Sequence, residues 1–163
     1  MFSNDTYNDI DSLNMSAKNK HIKEIQRMLA NPNISPASCN YAFRLVSENG
    51  HAEIVKFLLK DTRIDPSDTD NYAIKKASEN GHTEVVKLLL ADSSADPAVN
   101  NNYPIRIASE NGHTEVVRLL LADKRVDPKA NNNDAVKLAN KNGHMDVLKL
   151  LLNDYLNFSI KGV

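Results

Sequence analysis

Ala77-Ser78-Glu79-Asn80-Gly81-His82-Thr83-Glu84-Val85-Val86 returns letter for letter as Ala108-Ser109-Glu110-Asn111-Gly112-His113-Thr114-Glu115-Val116-Val117, 31 residues downstream. Looser copies surround Gly50-His51 and Gly143-His144 at the same step. Four segments share one template, and such a chain stacks one supersecondary element repeatedly instead of folding around a single centre. The product is an extended surface rather than an enclosed pocket.

Within one copy, Ile74 and Ala77 fall three apart with Lys75 and Glu79 on the other side. That spacing predicts a short amphipathic helix over 72–80, helix A. Gly81 follows as the residue able to take positive φ at a helix C-terminus. Thr83 is then an N-cap candidate and Glu84 a first-turn negative charge for a second helix, helix B. Its Val85, Val86, Leu88, Leu89 and Leu90 are apolar around much of the circumference, so helix B is the interior element. Pro104 fits the first turn of helix A in the next copy, where a missing N–H costs nothing. Asp65-Pro66, Asp96-Pro97 and Asp127-Pro128 mark the loops, each proline forcing its aspartate into an extended conformation. Asn100-Asn101-Asn102 and Asn131-Asn132-Asn133 lie just beyond, and asparagine tolerates left-handed turn geometry. The fold class expected is an all-α solenoid of helix-turn-helix units with short inter-unit turns.

The 163 residues carry a formal net charge of -1, and no basic stretch advertises a nucleic-acid partner. Cys39 is the only cysteine, which excludes an internal disulfide and argues against a Cys-based zinc site. The first residues, Met1-Phe2-Ser3-Asn4-Asp5, lack the basic and apolar runs of a secretory signal, and no later apolar run can span a bilayer. An intracellular, cytoplasmic protein with no membrane partner is expected, with the nucleus left open.

These residues resemble the ankyrin repeats. Tyr103-Pro104-Ile105-Arg106, Ala108-Ser109, Gly112-His113, Val116-Val117 and Leu119-Leu120-Leu121 follow that family's Thr-Pro-Leu-His, Ala-Ala, Gly-His, Val-Val and Leu-rich order. The resemblance divides the single domain 1–163 into a degenerate N-terminal capping unit, 1–35, full repeats at 36–65, 66–96, 97–127 and 128–158, and a tail, 159–163. Within the capping unit Leu13, Ala17, His21, Ile25, Met28 and Leu29 fall near template positions. The phrase Ala-Ser-Glu-Asn-Gly-His, with Asp-Pro turns, is similar to ankyrin arrays of giant DNA viruses of amoebae, which implies a host-protein partner.

Departures from the family pattern carry their own expectations. The period is 31 residues, short of the family's about 33, and the loss falls in the inter-unit turn, so the projecting fingers are expected to be short and to lack ladder bonding. Tyr72 and Tyr103 replace the family's threonine, and Lys75, Arg106 and Lys137 its histidine. Asn71, Asn102 and Asn133 are the nearest replacement caps for helix A.

All five histidines occupy one repeat position: His51, His82, His113 and His144 at steps of 31, and His21 at 30 before them. Stacked units keep them about 8 to 10 Å apart, whereas metal ligands converge at about 2 Å. They read as a structural column, and no metal or cofactor is expected. No catalytic triad, phosphate-cradling glycine loop or Cys/His cluster is present, so no enzyme is expected.

Charges repeat as well. Glu53 with Lys56, Glu84 with Lys87, Glu115 with Arg118 and Asp146 with Lys149 form i,i+3 pairs on helix B, and Arg44–Glu48, Lys75–Glu79 and Arg106–Glu110 form i,i+4 pairs on helix A. Lys141 breaks the acidic column and makes the last unit locally basic. Ala37-Ser38-Cys39, Ser67-Asp68-Thr69, Ala98-Val99-Asn100 and Lys129-Ala130-Asn131 vary where the rest is regular, which suits either unconstrained drift or recognition. Tyr41, Tyr72 and Tyr103 form a column fitting either interface anchors or inter-unit stacking.

The function expected is a non-catalytic, monomeric protein-binding module that uses the turn tips and the concave face, which the resemblance to ankyrin repeats implies is lined by helix A. The candidate contacts are Asp68, Thr69, Tyr72, Lys75, Glu79, Val99, Asn100, Tyr103, Arg106, Glu110, Lys129, Lys137 and Lys141. A self-associating assembly protein is the alternative; a small-ligand receptor or enzyme would need converging polar groups that the columns do not supply. Both ends read as finished: Ile10, Leu13, Ile25 and Met28 are expected to cover the first unit, with Lys18, Lys20 and Lys23 toward water, and Tyr155, Leu156, Phe158 and Ile160 either to fold over the last or to dock a partner.

Overall fold

The computed structural model describes Ile25, Arg27 and residues 29–160, with residues 154–160 described by backbone alone. Four helix pairs follow one another: α1 (Pro36–Glu48) with α2 (Ala52–Leu58), α3 (Asp68–Glu79) with α4 (Thr83–Leu90), α5 (Val99–Glu110) with α6 (Thr114–Ala122), and α7 (Ala130–Lys141) with α8 (Met145–Ile160). Each odd-numbered helix packs on the next odd one, and each even helix on the next even one. Two helical layers result, and no strand occurs among the described residues. The projecting finger is a bare turn, as the missing residues implied.

The core runs continuously between the layers. Ile54, Val55 and Leu58 of α2, Val85, Val86 and Leu89 of α4, and Val116, Val117 and Leu120 of α6 are fully buried, joined by Ala42, Ala73, Ile74, Ala77, Ile105 and Ala108 from the odd helices. Burying each large aliphatic side chain is worth about 1.5 to 3 kcal/mol, and this sum, not helix propensity, holds helices of 7 to 9 residues together. Small alanines on the odd helices let the backbones approach. Cys39 is fully buried in the same core, and burial pushes its thiol above the usual range. Ile25 and Leu29 belong to this cluster, so the first pair is covered from its N-terminal side. The rest of the expected N-terminal cap, Ile10 to Lys23 and Met28, lies outside the described residues, as do the side chains of Tyr155, Leu156, Phe158 and Ile160.

The helix starts differ in detail from expectation. Odd helices after the first open with three consecutive left-handed residues: Thr69, Asp70 and Asn71; Asn100, Asn101 and Asn102; Asn131, Asn132 and Asn133, all with φ between 52 and 61°. Only then does the right-handed helix begin, so Pro104 does fall in its first turn. In the first pair a Ser35 cap, bonded to the Ser38 N–H at 3.2 Å, replaces the triplet.

The asparagine caps are a correction. Asn71 Oδ1 accepts from the N–H of Asp96 at 2.7 Å and Asn102 Oδ1 from that of Asp127 at 2.8 Å, as Asn40 does from Asp65. Each asparagine fixes the loop entering the next pair instead of capping its own helix. Thr83 and Thr114 do not cap either; they are the first helical residues, preceded by His82 and His113.

Candidate functional site

The repeated Glu-Asn-Gly-His phrase is an inter-pair clamp. His113 Nε2 lies 2.9 Å from the carbonyl of Glu79, and Asn111 Nδ2 donates to the same oxygen at 2.8 Å. His82 with Asn80 grips the Glu48 carbonyl in the same way, and His144 with Asn142 that of Glu110. A carbonyl only accepts, so Nε2 of each ring carries the proton. His82, His113 and His144 are thereby committed to stacking. Among the described residues, no group of three His, Cys, Asp or Glu is placed to hold a metal ion.

A second set of bonds ties the loops. Arg63 donates to the carbonyls of Leu29 at 2.7 Å and Asn31 at 3.4 Å, while pairing with Asp61. Arg125 does the same toward Leu90 and Ala95, both at 2.9 Å, while pairing with Asp123. Ser94 stands between them in register and bonds only within its own loop, to Asp92.

Ion pairs on the odd helices also differ from the i,i+4 expectation. Arg44 pairs with Asp68 in the following helix pair, not with Glu48, and Arg106 pairs with Asp134 at 2.6 Å, not with Glu110. Lys75 turns to Asp70 at 3.0 Å, while Glu79 is taken by Lys76 at 2.8 Å. The guanidinium of Arg106 holds the Asp134 carboxyl below the usual range through its hydrogen bond. On the even helices Glu84–Lys87, Glu115–Arg118 and Asp146–Lys149 do pair at i,i+3.

Between α3 and α5 these pairs leave a groove of about 240 Å³, lined by Tyr72, Lys75, Lys76, Glu79, Asn100 and Tyr103. Tyr72 donates its hydroxyl to Glu48 Oε2 at 3.0 Å, and the Arg106 guanidinium sits 5.8 Å from the Tyr103 ring centre. Burial first, then the Glu48 carboxylate, raises the Tyr72 hydroxyl above its usual range; burial and the Glu79 charge do the same to Tyr103. Both hydroxyls therefore stay protonated at neutral pH.

Five of the expected contacts thus meet in one place: Tyr72, Lys75, Glu79, Asn100 and Tyr103. Asp68 and Arg106 are engaged in bridges between pairs, and Thr69 donates to Asp68 at 3.1 Å. Val99 is a correction: only 6% exposed, it is a stack residue, because an apolar side chain at the foot of α5 turns away from water. Glu110 gives its carbonyl to the last clamp. Lys129, Lys137 and Lys141 are exposed on the final pair, apart from the groove. Lys76 was not foreseen, although its spacing from Tyr72 and Glu79, four and three residues, put it on the same helical face.

A family model of ankyrin repeats in three copies matches residues 13–101 and, overlapping, 77–161. The chain belongs to the ankyrin-repeat family. Ankyrin arrays are generally protein–protein interaction modules and typically non-catalytic. No curated protein matches the chain in sequence. Among the described residues of this ankyrin array, no helix is long and apolar enough to cross a membrane.

Proposed function

We propose that this ankyrin array is a monomeric, non-catalytic adaptor that binds a partner protein on the face formed by α1, α3, α5 and α7, with the groove between α3 and α5 at its centre. The groove is the observation that carries this reading. Two rings of tyrosine, a residue enriched at interface anchors, wall it, and two lysines and a glutamate supply directional contacts. The helices beneath it are fixed by clamps on both sides, so little conformational freedom is lost when a partner docks. The resemblance to viral arrays supports a host protein as the partner.

The test compares capture of partner proteins from amoebal and other eukaryotic extracts by three chains. A Lys75→Ala, Tyr103→Ala variant removes groove chemistry, and a Lys87→Ala, Arg118→Ala variant removes exposed charge on the even helices. A protein retained by the wild type and the second variant but lost by the first supports the reading. Equal capture by all three overturns it.

Self-association is the second reading, favoured by Met145 and Leu152 on α8, which are 56% and 45% exposed. Sedimentation at rising concentration separates it from a monomeric adaptor.

A further inference from the structure

We infer that the α3–α5 groove takes a carboxylate supplied by the bound protein, a deepening that rests on the reading above. The array itself provides the template. Residues 44, 75 and 106 occupy one repeat position, and at two of them a cation reaches into the next helix pair: Arg44 to Asp68 and Arg106 to Asp134. At the middle position the next pair offers no acid. Val99 stands where Asp68 does in the repeat, and Tyr103 where Asp134 does. Lys75 consequently folds back to Asp70 of its own pair, a residue whose side chain is 62% exposed. The opening lies at the one of these three positions that lacks a bridge.

Hydrogen-bond supply points the same way. Lys75 and Lys76 each have three N–H donors and one ion-pair partner apiece, Asp70 and Glu79. The Tyr103 hydroxyl makes no hydrogen bond among the described residues, so it is a further donor beside them. Glu79 Oε2 already accepts from Lys76, and Asp70 Oδ2 from both Lys75 and Asn100. The lining thus has spare donors on both ammonium groups and on the Tyr103 hydroxyl. An entering Glu or Asp satisfies those donors, with its stem between the Tyr72 and Tyr103 rings; a basic side chain offers them no acceptor.

The probe is a set of immobilised short random peptides, identical in composition except for a central Glu, Gln or Lys. Wild-type chain is expected to retain the Glu pool about tenfold better than the Gln pool, the ratio that one charge-assisted bond produces. Lys75→Gln removes that preference and Lys87→Gln, on the even layer, keeps it. Tyr103→Asp supplies the missing acid internally and also removes the preference; thermal unfolding by circular dichroism confirms that each variant is folded. Equal retention of the Glu and Gln pools, or preference for Lys, overturns the carboxylate assignment but leaves the face as a binding surface. Retention of no pool overturns both.

Discussion

His113 fills the space that a side chain on Gly81 would need: its Nδ1 lies 2.6 Å from the position of a Cβ built on that glycine. The same contact links His82 to Gly50 and His144 to Gly112, whereas a Cβ on Gly143 meets nothing within 4 Å. The first three glycines are thus fixed both by their left-handed φ and by the next pair's imidazole. Gly143 answers only to φ, which is +75°.

Substitution by alanine should separate these two causes. Gly143→Ala bears the left-handed cost alone, about 1 to 2 kcal/mol. Gly112→Ala adds displacement of the His144 ring and its bond to Glu110, and should cost at least about 1 kcal/mol more. Urea midpoints measure both; equal losses mean that the ring yields freely and the seat is not a constraint.

Ser94→Arg should stabilise the protein. At the matching positions Arg63 and Arg125 reach the carbonyls of the preceding loop, and Asp92 is already in place as the partner Asp61 and Asp123 provide. A gain of about 1 kcal/mol is expected, and Arg125→Ser should lose a similar amount. A Ser94→Arg midpoint at or below wild type would show that the α2–α3 and α4–α5 loops are spaced differently from their neighbours.

Thr69→Asn should also stabilise. Thr69 is β-branched at φ 52°, where the sibling positions hold Asn100 and Asn131. The expected gain is about 0.5 to 1 kcal/mol, read by thermal melting; no gain would mean that the Thr69 hydroxyl bond to Asp68 compensates for the backbone cost.

Acid should loosen the loops. Hydrogen bonds from Arg63 and Arg125 hold the Asp61 and Asp123 carboxyls below the usual range. A depressed folded-state pKa contributes stability that is complete above the unfolded value, about 3.9, and disappears as pH falls through the folded value. Urea midpoints should therefore hold from neutrality to about pH 5 and decline below about pH 4. Asp123→Asn should lower the neutral midpoint and flatten the acid decline. An unchanged acid limb in that variant would place the linkage elsewhere.

The repeat made the helices legible: Ile74, Ala77, Val85 and Leu89 are buried where their spacing put them, and Gly81 and Gly112 are left-handed as the turn required. The pairing of charges was not legible, because the i,i+4 rule describes an isolated helix. Arg44 finds Asp68 24 residues on, and Arg106 finds Asp134 28 residues on, both in the next helix pair. The same cause hid the clamp: Asn111 and His113 act on a carbonyl 32 and 34 residues earlier. Val99 was misplaced because variability at a turn tip says nothing about which way a side chain points. Five groove residues were foreseen individually, but the opening itself arises from an absent acid, visible only once the bridges on either side are known.

The cross-pair bonds described here span from 24 residues, Arg44 to Asp68, to 35, Arg125 to Leu90. Closing such short loops carries a small, nearly constant entropy cost, so order can spread along the chain one helix pair at a time. A chain leaving the ribosome can secure each pair as soon as its successor emerges, without waiting for its C-terminus.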